Sequence, residues 1–118
     1  MVVDTNILLY LLNEDDKIES LLNRTQVYIS YITEIELLSY HNISASELKK
    51  VEAMIDNCTV IEMNHDIKQH VINLRKKYRV KVNEVIIAAT ALYMGMPLLT
   101  ADSGFIKIKE LDLMFYEK

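Results

Sequence analysis

The sequence has one cysteine, one proline and two glycines among its 118 residues, and it has no tryptophan. The single cysteine, Cys58, cannot form an internal disulfide, so the composition favours a reducing compartment over a disulfide-bonded secreted protein. The scarcity of glycine and proline predicts short loops and no flexible linker. Because 51% of the residues are hydrophobic, the chain is expected to fold around a real core.

The chain also lacks an excess of basic residues and a long apolar run. It has 13 Lys and Arg against 17 Asp and Glu, a formal net charge of −4, which argues against gripping nucleic acid by bulk charge. This balance is still compatible with holding phosphate through a bound cation. The apolar stretch around residues 85–91 is too short for a membrane span, and Asp4 precedes any signal-peptide pattern. We therefore expect a cytoplasmic protein with no membrane association.

Apolar periodicity predicts short strands that alternate with helices, in one domain spanning residues 1–118. Strands are predicted at residues 1–3, 26–30, 58–63, 98–100 and 111–116. Helices are predicted directly after Asp4, at residues 17–22, 31–40, 46–56 and 66–78, and from Asn83 to Tyr93 or Met94. The predicted caps are Thr5 or Asn6, Ser30, Ser44 or Ser46, Asn64 and Asn83, with Gly95 ending the last helix. This alternation favours a parallel sheet covered on both faces by helices.

Two carboxylates follow directly after apolar strands. Asp4 ends the strand at residues 1–3, and Asp102 follows the strand at residues 98–100. An aspartate between a strand and a helix is often only a helix cap. However, carboxylates at the carboxyl ends of parallel strands point towards the crevice where such sheets bind ligands. Two of them on one edge would repel each other unless a positive charge lay between them.

Two further carboxylates lie on predicted helices. The helix at residues 31–40 has an apolar face centred near Ile35, and Glu34 and Glu36 lie on its two flanks, so periodicity cannot decide between them. Glu84 is in the first turn of a helix that is apolar on every side and is therefore predicted to be buried. It serves either the helix dipole or a bound cation, since an unpaired buried charge is costly.

The segments VVDTNILLY, TEIELL and NEVIIAATALYMGMPLLTAD, followed by Phe105, resemble a PIN domain, most of all the VapC-type toxin ribonucleases of toxin–antitoxin pairs. The resemblance covers nearly the whole chain. It implies a three-layer α/β/α sandwich with a central parallel sheet of four to five short strands. It also implies that the first strand lies beside the strand that ends near Asp102.

By resemblance, the catalytic and metal-binding acids are Asp4, Glu36, Glu84 and Asp102. Thr5, Asn6 and Thr100 correspond to the supporting polar residues of the family. Two departures stand out. The family usually has Pro-Asp where this chain has Asn83–Glu84, and many members carry another acid where this chain has Gly104.

Oxygen ligands of this kind suit Mg²⁺ or Mn²⁺, which keep several waters and are held by a few carboxylates. The expected function is a metal-dependent endoribonuclease, the toxin of a toxin–antitoxin module, that hydrolyses RNA phosphodiester bonds with a metal-activated water. The alternative is a catalytically weakened PIN-fold module that binds protein or RNA. A haloacid-dehalogenase phosphatase is disfavoured, because the position two residues after Asp4 is Asn6.

The expected partners are an RNA substrate, a cognate antitoxin and a second copy of the chain. A basic run could contact RNA, although a solvated helix end explains it equally well; its residues are Lys76, Lys77, Arg79 and Lys81. The homodimer follows from the resemblance and from an apolar content that so small a core does not readily hide. The residues behind this second argument are Leu9, Leu12, Tyr28, Tyr40 and Met54.

Overall fold

The computed structural model describes residues 1–117, which form five strands and six α-helices. The strands are β1 Val2–Val3, β2 Tyr28–Ser30, β3 Thr59–Ile61, β4 Leu98–Thr100 and β5 Leu113–Phe115. The helices are α1 Thr5–Leu12, α2 Asp16–Leu22, α3 Tyr31–Leu38, α4 Ala45–Asp56, α5 His65–Lys77 and α6 Val82–Met94. The predicted elements are all present, but most strands are one to three residues shorter than predicted.

The strands form one parallel sheet in the order β3-β2-β1-β4-β5, with β1 at its centre. Val2 pairs with Tyr28 on one side and with Leu98 on the other. Alternate residues of each strand face opposite layers, as the period of two requires. Val2 and Leu98 pack into the core beneath α5 and α6, whereas Val3 and Leu99 pack against α1 to α4. The predicted three-layer α/β/α sandwich is therefore confirmed.

Side chains at the helix starts explain where the helices begin. Asp4 caps α1, and its Oδ1 accepts a hydrogen bond from the Ile7 N–H at 3.1 Å, so the predicted cap at Thr5 or Asn6 was wrong. Ser30 and Asn64 cap α3 and α5 as predicted. Ser44 caps α4 in a reciprocal pair with Glu47.

Two helices differ from the prediction in ways that matter for the site. The buried face of α3 is formed by Thr33 and Leu37, whereas Ile35, the predicted centre of that face, is 51% exposed. Helix α6 begins one residue before the predicted cap Asn83, so Asn83 lies inside its first turn. Gly95 ends α6 in the left-handed conformation, with a φ of 63°. Within residues 1–117, no helix is both long and apolar enough to cross a membrane.

Candidate active site

The two strands that precede Asp4 and Asp102 are neighbours in the sheet. β1 pairs with β4 in parallel, and Val3 lies opposite Leu99, so their carboxyl ends meet at one edge. The chain leaves β1 towards β2 on one side and later reaches β4 on the other, which makes this edge a topological switch point. Backbone geometry alone thus brings two carboxylates to the place where open α/β sheets bind ligands.

Asp4 is almost completely buried, with 3% of its surface exposed. Its Oδ1 is held by the Ile7 N–H, and its Oδ2 accepts a hydrogen bond from the Thr100 hydroxyl. Burial raises the pKa of Asp4 to about 6, and the charge of Asp102 adds to the rise, while the hydrogen bonds oppose it. Asp4 is therefore a fixed carboxylate that carries its negative charge at an electrostatic cost.

Glu36 is fixed by side chains from two other helices. Its Oε1 accepts from the Thr5 hydroxyl at 2.7 Å, and its Oε2 accepts from the Asn83 amide at 3.1 Å. The buried Thr33 hydroxyl lies 3.2 Å from that of Thr5. Asn83, predicted as a helix cap, instead joins α6 to α3. Glu36, rather than Glu34, is the acid of α3 that faces the site.

Glu84 and Asp102 complete the acidic group. Glu84 lies in the first turn of α6 and is 9% exposed; burial and then the nearby charge of Asp102 raise its pKa, while Lys81 and Lys107 oppose the rise. The Asp102 N–H donates to the Thr100 hydroxyl oxygen at 3.0 Å, and Asp102 Oδ1 accepts from the Gly104 N–H at 2.8 Å. Thr100 thus links Asp4 to Asp102.

All four carboxylates line one open cleft of about 340 Å³. Thr5, Asn6 and Asn83 lie beside them, and Ser39, Tyr40 and His41 form part of the cleft wall. No lysine or arginine is among the described residues that line it. Several negative groups in a cleft whose described lining includes no lysine or arginine form a surface that attracts cations.

The family model described as the PIN domain matches residues 1–111. The chain belongs to the PIN domain family. Its structure is similar to a toxin–antitoxin complex from Klebsiella pneumoniae, with 26% identity and a TM-score of 0.86, covering 99% of this chain and 98% of that one. PIN domains are in general nucleases.

Two VapBC structures are also similar to this PIN domain. One is a DNA-bound VapBC from Salmonella typhimurium, with a TM-score of 0.86 and 23% identity over 97% of this chain and 96% of that one. The other is VapBC2 from Rickettsia felis bound to a promoter fragment, with a TM-score of 0.85 and 22% identity over 98% of each chain. At these identities the likeness establishes the fold. No curated protein sequence matches the chain.

The donor set of this PIN domain fits a hydrated divalent cation. The acids offer only oxygen ligands, which Mg²⁺ and Mn²⁺ prefer over nitrogen or sulfur. Among residues 1–117, no three His, Cys, Asp or Glu side chains are grouped closely enough to hold an ion directly. Mg²⁺ is commonly bound by one or two carboxylates and several waters, so this spacing suits an ion held partly through water.

The predicted basic residues lie outside the cleft. Lys77 forms a salt bridge of 2.9 Å with Glu110, on an exposed surface where such pairs contribute little. Arg79 and Lys81 line a separate shallow depression, and Lys76 is exposed in the last turn of α5. Lys81 is the one that approaches the acids, because it precedes α6 and its charge acts on Glu84.

Sequence reasoning missed three kinds of residue at this site. Lys107 approaches Glu84 from the segment after β4, and periodicity gives no signal for it. Tyr40 and His41 follow α3 and line the cleft from a loop. Thr33 could have been found, because it lies three residues before Glu36 and therefore on the same face of the helix.

Proposed function

We propose that this PIN domain is the toxin of a toxin–antitoxin pair, a Mg²⁺- or Mn²⁺-dependent endoribonuclease that hydrolyses RNA phosphodiester bonds. The observation that carries the proposal is the convergence of four carboxylates, from the ends of two adjacent strands and from two helices, on one cleft without a lining lysine or arginine. The likeness to toxin–antitoxin complexes supports the biological setting. Cellular RNA as the substrate implies a cytoplasmic site of action.

The residues of the cleft have two roles: some carry negative charge, and others hold the charged side chains in place. Asp4 and Asp102 present negative charge at the sheet edge, and Thr100 orients both. Thr5 and Asn83 hold the two oxygens of Glu36, which keeps that carboxylate directed along the cleft. A bound divalent cation would supply a more acidic water and neutralise charge on the scissile phosphate. No side-chain nucleophile is required, and the expected products carry a 5′-phosphate.

The test measures metal binding and RNA cleavage separately. In EDTA-treated protein, added Mg²⁺ or Mn²⁺ should raise the thermal midpoint by several degrees, because ligand binding to the folded state stabilises it. With Mn²⁺, the protein should cleave a mixed pool that contains intact transfer and ribosomal RNA. Glu36→Gln should remove most of this cleavage. Glu34→Gln, on the same helix but outside the cleft lining, is the matched control and should remain active.

The same experiment decides between the proposal and a binding module with a weakened site. The residues that keep that alternative open are Glu84 and Gly104, the two departures noted from the resemblance. A wild type that neither responds to metal nor cleaves any RNA in the pool would favour the binding module. Metal response together with cleavage that is lost in Glu36→Gln would exclude it.

The proposed antitoxin partner rests on the structural neighbours, which are toxin–antitoxin complexes. We expect a small protein encoded beside this chain that binds it and covers the acidic cleft. Co-expression should yield a stable complex in which RNA cleavage is suppressed. A co-purified neighbour that leaves cleavage unchanged would not be the expected antitoxin.

A homodimer of the free protein is also proposed. Four of the apolar residues behind this prediction, Leu9, Leu12, Tyr28 and Met54, pack against the two cores. Exposed apolar side chains occur on several elements, and one group of three lies on and just after α3, where Ile35, Leu38 and Tyr40 are 51%, 40% and 47% exposed.

Light scattering at micromolar concentration should therefore show a dimer for the wild type. Ile35→Lys should convert the protein to a monomer, because a charge would have to be buried in the contact. Ile72→Lys on α5, where the native side chain is 41% exposed, is the control that should remain dimeric. A monomeric wild type would refute the dimer, and a dimeric Ile35→Lys variant would place the contact elsewhere.

A further inference from the structure

Gly104 lies in the short turn after β4, and its backbone does not require a glycine. The only glycine of the described chain with a positive φ is Gly95, which ends α6. Gly104 has an ordinary backbone conformation that any L-residue could adopt. The reason for a glycine at this position must therefore be sought in space rather than in conformation.

The space beside Gly104 is occupied by the carboxylate of Glu84. A Cβ atom built on Gly104 would lie 2.4 Å from Glu84 Oε2 and 3.2 Å from Glu84 Cδ. It would also lie 3.1 Å from Asp102 Oδ1. The distance of 2.4 Å to Glu84 Oε2 is far below van der Waals contact. A Cβ atom at residue 104 and the Glu84 carboxylate therefore cannot both occupy these positions. The Glu84 carboxylate fills the volume that a side chain at residue 104 would take.

Of the two carboxylates beside this Cβ position, Glu84 is the one that would have to yield. Asp102 is anchored by its N–H to Thr100 and by its Oδ1 to the Gly104 N–H. Glu84 lies in α6, and within residues 1–117 no hydrogen bond holds its carboxylate, which is the end of a flexible arm. A side chain at residue 104 would therefore displace the Glu84 carboxylate from its present position.

We infer that Gly104 is a positioning residue for Glu84: its missing side chain creates the space into which the longer carboxylate arm extends beside Asp102. Residues 84 and 104 then act as one unit. The glutamate at residue 84 and the glycine at residue 104 are two halves of one packing arrangement. The consequence for metal binding rests on the proposed function, whereas the packing itself does not.

A double-mutant cycle tests this unit, using wild type, Gly104→Ala, Glu84→Asp and the double variant. In EDTA, Gly104→Ala should lower the thermal midpoint of the wild type by about 1 to 3 °C, because the Glu84 carboxylate must move aside but is the end of a flexible arm. In the Glu84→Asp background the shorter arm leaves that space free. There Gly104→Ala should be neutral or stabilising, since alanine restricts the unfolded chain more than glycine does. Ser103→Ala, an exposed change in the same turn, is the control.

The second readout is the response to Mn²⁺. Gly104→Ala should weaken the apparent Mn²⁺ affinity of the wild type about tenfold, within the usual range for disturbed metal surroundings. In the Glu84→Asp background, Gly104→Ala should change the apparent Mn²⁺ affinity by less than about twofold, because the shorter arm no longer competes with the added side chain.

The two measurements separate failure of this inference from failure of the proposed function. Equal effects of Gly104→Ala in both backgrounds, in EDTA, would show that Gly104 acts independently of Glu84 and would overturn the inference. Equal effects on Mn²⁺ affinity would overturn it as well. A wild type without any metal response would overturn the proposed function alone, because the coupling in EDTA would still decide whether Gly104 positions Glu84.

Discussion

Asp4→Asn is expected to reduce RNA cleavage by roughly 100-fold or more while making the metal-free protein more stable. Mutating a residue that holds a metal ligand in place lowers metal affinity or activity about 10- to 100-fold. Asp4 would contact the ion itself, so its loss should cost at least as much activity. The fold should tolerate the change, because asparagine caps helices as well as aspartate does and its Oδ1 can still accept from the Ile7 N–H. Removing a charge that is 97% buried then relieves a cost rather than breaking the site.

The stabilisation by Asp4→Asn should depend on pH in a defined direction. The pKa of Asp4 is about 6 in the folded protein against an ordinary 3.8, because of burial first and the charge of Asp102 after it. The folded state therefore binds the proton more tightly, and the wild type loses stability as the pH rises from about 4 to about 6. The advantage of asparagine should be full above about pH 7 and shrink by roughly 1 to 1.5 kcal/mol between pH 8 and pH 5.

Thermal midpoints of wild type and Asp4→Asn, measured in EDTA at pH 5 and pH 8, check this prediction. Titration with Mg²⁺ or Mn²⁺ at pH 8 should raise the wild-type midpoint and leave that of Asp4→Asn unchanged. Asp16→Asn, an exposed acid in the first turn of α2, is the control for removing one negative charge. An undiminished metal response in Asp4→Asn would place any ion elsewhere, and a pH-independent difference would contradict the burial argument.

The parts of the site that the sequence predicts are those fixed by backbone geometry. Asp4 follows β1 and Asp102 follows β4 whatever the side chains around them do, so the strand positions suffice to predict that the two acids meet. The apolar run of α6 between its first turn and Gly95 likewise predicts a buried helix that carries Glu84. At these positions the local apolar pattern of the sequence agrees with the packing of the whole fold. The positions of these acids can therefore be predicted from neighbouring residues in the sequence.

The arrangement around α3 could not be predicted from periodicity because tertiary contacts override the apolar pattern there. Ile35 faces outward although it is the centre of the apolar stripe, and Thr33 is buried with its hydroxyl beside that of Thr5. Glu36 is drawn to the cleft by Thr5 and Asn83, which are 31 and 47 residues away in sequence. The resemblance to the PIN family predicts Glu36 rather than Glu34 as the acid of the site. The hydrogen bonds from Thr5 and Asn83 explain physically why Glu36 lies in the cleft.

The cap of α1 was misassigned for a related reason. A short polar side chain near a helix start satisfies the free N–H groups from several neighbouring positions, so Asp4, Thr5 and Asn6 look equivalent in sequence. In the structure Asp4 takes the capping role and keeps its other oxygen for Thr100. This leaves the Thr5 hydroxyl available for Glu36. The residue that caps the helix is therefore also the residue that carries charge into the cleft.

Glu84→Gln is expected to lose most RNA cleavage while the fold is kept. Glutamine has the same length, so it occupies the space beside Gly104, but it neither neutralises a cation nor accepts strongly from its waters. The loss should be roughly 10- to 100-fold. Burial and Asp102 raise the pKa of Glu84 whereas Lys81 and Lys107 oppose the rise, so the metal-free midpoint should change only modestly. Cleavage of the mixed RNA pool with Mn²⁺ is compared at equal folded concentration.

Two companion variants separate the charge of Glu84 from its position in the helix. Glu84→Asp keeps the charge but withdraws it from beside Gly104, so its cleavage should lie between that of wild type and Glu84→Gln. Asp66→Asn removes an exposed acid from the first turn of α5 and tests the dipole contribution alone, so it should leave cleavage intact. If Glu84 served only the helix dipole, Glu84→Gln would cost at most about 1 kcal/mol of stability and cleave RNA at the wild-type rate. That result would reduce the proposed catalytic acids to Asp4, Glu36 and Asp102.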